Sequence, residues 1–144
     1  MTRLLDTDVI VDALRGRLGA SRRLEASSPD DFRIPSVTIA ELFYGAERSA
    51  NPARAHAVWR AFVAPFQVVP FDREAAERHG RLRFALRRRP IGERDLLIAA
   101  IAVANRLAVV TRNIREFGRV PGLRVEAWAV DVLRPGLGRA QRGL

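Results

Sequence analysis

Residues 2–16, TRLLDTDVIVDALRG, run a short strand pattern straight into a helical one. TRLLD reads as a strand, and VIVDALRG reads as a helix that Gly16 brings to an end. A strand that feeds a helix within so few residues opens a βαβ unit, the building block of parallel sheets. The stretch is also unusual in charge, because Asp6, Asp8 and Asp12 interrupt an otherwise apolar segment. An unpaired carboxylate is costly to bury, so at least one of the three needs a compensating partner.

The alternation continues outward. ASRRLEASS reads as a second helix and FRIP as a strand. SVTIAELFYGAERS follows Pro35 as a helix with Ser36 placed as its N-cap. NPARAHAVWRAFVAPF and DREAAERHGRLRFALRRR are further helices, separated by the strand-like QVVPF, and Pro90 stops the second. RDLLIAAIAVANR is apolar all round and therefore central, while LAVVT and RVEAW supply two more strands. The expected fold is a three-layer α/β/α sandwich around a mostly parallel sheet of about five strands. In such sheets the functional crevice lies off the carboxyl ends of the strands.

A chain of 144 residues suits one domain. No cysteine is present, which excludes disulfides, thiolate metal sites and cysteine nucleophiles. His56 and His79 lie far apart, outside any spaced zinc motif, and read as surface or helix-packing residues. All 25 basic residues are Arg. The absence of Lys excludes the standard Walker phosphate loop, Schiff-base enzymes and phospho-acceptor receiver domains. A net charge of +9 favours a polyanionic partner such as nucleic acid, although an Arg-rich composition also follows from GC-rich coding. The longest apolar run, Leu96 to Ala104, falls short of the ~18 residues that span a bilayer, and a cytosolic, cytoplasmic protein is expected. From Arg134 the sequence RPGLGRAQRGL is rich in Gly and Arg, so the domain is placed at 1–133 and a mobile basic tail at 134–144.

Four segments place oxygen ligands at the expected crevice. Asp6 ends the first strand, where it also suits the N-cap of a helix starting near Val9. Glu41 shares a helical stripe with Val37, Ala40 and Tyr44, which sets a carboxylate in an apolar face with no basic residue three or four positions away. Asp95 opens the central apolar helix, a place the helix dipole also favours. Thr111, Asn113 and Glu116 follow another strand, where turn chemistry alone accounts for Asn113. Two carboxylates ~4 Å apart repel by about 4 kcal/mol at an effective dielectric of ~20, so such a cluster needs protonation or a cation. Oxygen donors alone select Mg²⁺ or Mn²⁺. Asp8 and Asp12, four apart on the following helix, read as its solvated face.

LLDTDVIVD, PSVTIAELFYGAERS, PIGERDLLIAAIA and VVTRNIREFGRVPGLRVEAW, in this order and spacing, resemble the PIN domain, and more closely its VapC branch of ribonuclease toxins from bacterial toxin–antitoxin pairs. The resemblance spans nearly the whole chain apart from the tail. It implies that Asp6, Glu41 and Asp95 are the principal metal-binding carboxylates, with Thr111 the hydroxyl residue beside them. Asn113 stands where many relatives carry a fourth acid, so Glu116 or the Asn113 carbonyl would complete the set; Asp8 stands where many have Asn. The implied chemistry is hydrolysis of RNA, from tRNA or rRNA, assisted by Mg²⁺ or Mn²⁺. The ion would lower the pKa of a water and steady the charge building on the phosphate, leaving a 5′-phosphate.

For the substrate, Arg81, Arg87, Arg88 and Arg89 flank the loop leading to Asp95 and, with Arg112, are the candidate phosphate ligands; a solvated helix end explains the run equally well. The resemblance also implies a homodimer and a VapB-type antitoxin whose tail presents a basic side chain to the carboxylates. Phe43, Tyr44, Trp59 and Phe62 are candidates for those contacts, and core packing is the expectation for most of them. Two other readings stay open: a non-catalytic RNA-binding module with a degenerate acidic site, and a phosphatase using Asp6 as nucleophile, since DTDVIV loosely echoes an Asp-x-Asp phosphatase loop.

Overall fold

The computed structural model describes residues 2–128. The basic tail expected at 134–144, and the end of the domain placed at 133, lie outside the described residues. Strand β1 (Arg3–Leu5) is followed by α1 (Thr7–Leu14) and α2 (Leu18–Glu25). Then come β2 (Phe32–Pro35), α3 (Ser36–Glu47), α4 (Pro52–Val63) and β3 (Gln67–Val69). The chain continues through α5 (Arg73–Ala85), α6 (Glu93–Ala104), β4 (Ala108–Thr111), the single turn α7 (Ile114–Phe117) and β5 (Val125–Ala127).

The five strands form one sheet in the order β3-β2-β1-β4-β5, and every neighbouring pair is parallel. Successive residues of a strand face opposite sides. Leu4 and Val109 accordingly enter one core with Ile98, Ile101 and Phe117, while Leu5 and Val110 enter the other with Ile10, Ile34 and Trp59. Helices α5 to α7 cover the first face and α1 to α4 the second, giving the three expected layers. The all-round apolar character of α6 is explained by its position, since Ile98 to Ala102 are all fully buried. No helix among the described residues is long and apolar enough to cross a membrane.

Helix boundaries differ from the sequence pattern where side chains find distant partners. Helix α1 starts at Thr7 rather than near Val9, because Asp6 caps it by accepting the Thr7 N–H. Ser36 is not the N-cap of α3: Pro35 holds that position with φ −71°, and the Ser36 hydroxyl instead accepts the Phe71 N–H across 3.1 Å. Helix α5 ends at Ala85 before Pro90 is reached, so Arg87, Arg88 and Arg89 stand in the following turn rather than on a helix. His56 packs as expected, between Glu47 and the indole N–H of Trp59.

The strand order reverses beside β1, and the chain crosses from one layer to the other there. This is the topological switch at which a crevice opens off the carboxyl ends of β1 and β4. The strength of the platform rests on α6. Ile98→Ala should cost about 2–5 kcal/mol in urea unfolding, whereas Phe84→Ala on the exposed face of α5 should stay within about 0.5 kcal/mol.

Candidate active site

Asp6 leaves the end of β1 with its side chain wholly buried, its backbone N–H donating to the Val110 carbonyl on β4. Oδ1 accepts the Thr7 N–H at 2.8 Å, and Oδ2 accepts the Thr111 hydroxyl at 2.7 Å. The Thr111 Oγ1 in turn accepts the Asn113 N–H at 2.9 Å, so its own proton is committed to Asp6. Asn113 precedes α7 but does not cap it with its side chain. Its Nδ2 donates to Asp95 Oδ2 at 3.0 Å instead. A single hydrogen-bonded chain, Asp6–Thr111–Asn113–Asp95, therefore spans β1, β4, α7 and α6. On the far side of Asp6, the Thr7 and Thr38 hydroxyls meet at 2.9 Å and tie α1 to α3.

The electrostatics agree with this convergence. Burial pushes the Asp6 carboxyl up to about 6, reinforced by Asp8 and Asp95 and opposed by the hydrogen bonds from Thr111 and Thr7. Burial also raises Asp95, against the pull of Arg94 and Asn113, and the charges of Asp8 and Glu116 add to the rise. Each acid makes the other harder to ionise. Asp95 Oδ1 is buried and has no hydrogen-bond donor, although the Arg94 Nε lies 3.6 Å away.

The other sequence candidates divide. Glu116 is half-buried and close enough to raise Asp95. Glu41 is half-buried on α3, and its charge acts on Arg94. Its stripe is not an apolar face turned to the core: Ala40 and Tyr44 are exposed, while Thr38, Leu42 and Ala46 are the buried positions of α3. Glu41 instead lines a groove of about 680 Å³ between α1, α3 and α4, walled by Val11, Leu42 and Trp59 and reaching Asp8 and Arg94. Of the aromatic candidates, Trp59 is buried in the groove wall, Phe62 packs on the core, and Phe43 and Tyr44 are exposed.

Asp12 overturns the expectation of a solvated face. It is 2% exposed and clamped by Arg17 at 3.1 Å and by Arg112 at 2.9 Å. Arg112, expected as an RNA ligand, thus anchors the β4–α7 turn to α1. Asp8 is half-exposed and lies 3.9 Å from Arg94. Arg81, Arg87, Arg88 and Arg89 are exposed, and none forms an ion pair with the acidic residues among the described residues. The residue that sequence reasoning missed is Arg94. Its one local signal was a cation in the first turn of a helix, where the dipole disfavours it.

Among the described residues no three acidic or imidazole side chains stand in metal-chelating geometry. Asp6 and Asp95 nevertheless suit a hard cation that keeps most of its waters. Mg²⁺ is commonly held by one or two carboxylates together with substrate phosphates, and the buried Asp95 Oδ1 is an acceptor that no donor occupies.

A PIN domain family model matches residues 3–123. The tRNA(fMet)-specific endonuclease VapC of Shigella flexneri is 39% identical over 128 residues, spanning 88% of this chain and 97% of that protein. The protein of the same name from Salmonella typhimurium is 37% identical over 127 residues, with 87% and 96% covered. Among solved structures, a chain of VapBC2 from Rickettsia felis, bound to a DNA fragment from their promoter, superposes with a TM-score of 0.82 at 30% identity, over 90% of this chain and 100% of that one. A parallel sheet with its acidic, hydroxyl-braced crevice at the β1/β4 switch and a family match across nearly all the described residues lead to one assignment: this chain belongs to the PIN-domain family, within its VapC ribonuclease branch.

Proposed function

We propose that this chain is the toxin of a toxin–antitoxin pair and cleaves tRNA hydrolytically with a divalent cation, Mg²⁺ or Mn²⁺, held by Asp6 and Asp95. The observation that carries the reading is the buried Asp6–Thr111–Asn113–Asp95 chain that leaves Asp95 Oδ1 without a donor. A structural pair would satisfy that oxygen, because a buried acceptor without a partner is costly. The names of the Shigella and Salmonella relatives support tRNA as the substrate class.

When bound, the cation supplies Lewis-acid stabilisation of the charge that develops on the phosphate. The protein's own part is positional. Thr7 and Thr111 fix both oxygens of Asp6 while leaving each a further lone pair. Asn113 holds Asp95 through Oδ2 and leaves Oδ1 without a donor, and Glu116 and Glu41 add to the acidic field around Asp95 and Arg94. Asn113 donates an amide proton where a fourth acid would bring another negative charge, so Glu116 is the residue that supplies one. Phosphates arriving along the loop before α6 meet Arg87, Arg88 and Arg89, which are exposed and uncommitted to the acidic residues. The neighbouring VapBC complex supports an antitoxin partner. The groove between α1, α3 and α4 suits its tail, since an apolar wall ends at Asp8 and Glu41, where a basic side chain would be drawn in.

Partner-free protein with Mn²⁺ should cut tRNA at discrete positions and leave 5′-phosphates, and EDTA should stop it. Asp6→Asn and Asp95→Asn should each lower the rate roughly a hundred- to a thousandfold with circular dichroism unchanged; wild-type rates in either variant would falsify the site. RNA binding with no cleavage under any divalent ion would move the reading to a non-catalytic RNA-binding module.

The raised carboxyl of Asp6 predicts a stability signature in metal-free protein. An acid whose folded pKa lies above its unfolded value binds more protons when folded. Its contribution is fully present below about pH 4 and is lost as pH rises through about 6, a span on the order of 3 kcal/mol. Between pH 4 and 6.5 the stability of EDTA-treated wild type should therefore fall more steeply than that of Asp6→Asn, by up to about 1.4 kcal/mol per pH unit. Urea titrations across that range check it, and parallel curves would contradict it.

A further inference from the structure

Arg94 is a cation inside the acidic centre. Its Nε lies 3.6 Å from Asp95 Oδ1, and one Nη lies 3.9 Å from Asp8 Oδ2. The charges of Asp8, Asp95, Asp6 and Glu41 all act on it. Yet it hydrogen-bonds none of these carboxylates, and Asp95 Oδ1 remains without a donor. Ion-pair attraction without a charge-assisted hydrogen bond is the weaker form of such a contact. The side chain is also 38% exposed where it lines the groove, so it has an open direction in which to move. Nothing local favours a cation in the first turn of α6, because the helix dipole there is positive. The surrounding carboxylates hold it in place.

We propose that Arg94 is the resident counter-cation of the acidic centre: it stands in the electrostatic place of the divalent ion beside Asp95 Oδ1 and must be displaced when the ion binds. The inference rests on the metal-dependent reading above. Two cations cannot share one carboxylate oxygen at ion-pair distance without strong repulsion, so the guanidinium and the ion compete. Arg94 thereby sets the affinity for the ion. In its absence the buried carboxylates would face one another with less compensating charge, and a divalent ion would be drawn in more strongly.

Calorimetric titration of Mn²⁺ into EDTA-stripped, partner-free protein tests this. Arg94→Gln should bind Mn²⁺ about tenfold more tightly than wild type, whereas Arg94→Lys, which keeps the charge, should stay within about threefold of it. A side chain with only a structural role would lose affinity on replacement, so a gain is diagnostic. Arg94→Met repeats the neutral substitution with the apolar stem kept, in case Arg94→Gln does not fold. Binding by wild type that the folded neutral variants leave unchanged or weaken overturns the Arg94 role alone. No Mn²⁺ binding by wild type or by any variant overturns the metal centre and the Arg94 role together. Binding by Arg94→Gln where wild type shows none supports both.

Discussion

The structure turns on a carboxylate placed where the fold is driest. Asp6 ends a central strand, contacts no solvent, and caps the first helix. Burying an acid there opposes folding, and burial is the largest cause of its raised pKa. The surrounding chain offsets that cost with oriented donors, the Thr7 N–H on one oxygen and the Thr111 hydroxyl on the other. Each donor comes from a different element, so Asp6 can be satisfied only when β1, α1 and β4 are in register. Docking of β4 beside β1 therefore completes the hydrogen bonding of Asp6.

Two buried aspartates near the N-terminus are treated in opposite ways, and the contrast separates site from scaffold. Asp12 meets two guanidinium groups, Arg17 and Arg112, both at ion-pair distance. Its charge is answered locally, and its work is to fasten the β4–α7 turn, which carries Thr111 and Asn113, to α1. Removing one partner of a buried pair is far more damaging than the pair is stabilising, so this clamp resists drift of the turn. Asp6 has no such pairing, and Asp95 meets only the Arg94 Nε, at 3.6 Å and without a hydrogen bond. They receive hydrogen bonds from neutral groups and repel one another. Residual negative potential is what a cation-binding site requires and what a scaffold avoids.

The sequence showed most of the scaffold because its signals are local. The β1–α1 turn, the apolar α6 and the short β-type runs carry their period in consecutive residues, and all reappear in a parallel sheet. The positions of Asp6, Asp95 and Thr111 at strand and helix ends followed from that period. What escaped depends on contacts between residues distant in sequence. Ser36 looks like an N-cap, but its hydroxyl serves Phe71, thirty-five residues on. Asp12 looks solvated because its partner Arg112 lies a hundred residues away. Glu41 was found, but for a different reason from the one expected. An apolar stripe can border an open groove as well as a core, and periodicity does not distinguish the two. Asn113 read as turn chemistry, and only the structure turns its amide to Asp95.

The start of α6 concentrates the remaining tension of the molecule. Glu93, Arg94 and Asp95 share its first turn with the positive end of the helix dipole, which favours the two acids and disfavours the arginine. An isolated helix would place Arg94 elsewhere, so its persistence is a property of the assembled crevice and not of the helix. The same carboxylates that would repel one another without it hold it close. The guanidinium offsets part of the negative potential of this centre without closing a hydrogen bond to it. Because the groove reaches Arg94, Asp8 and Glu41 together, any basic group entering along α1 and α3 meets the same field from the opposite side. Arg94 and such an incoming group therefore face one set of acids, and the hold of those acids on one depends on the other.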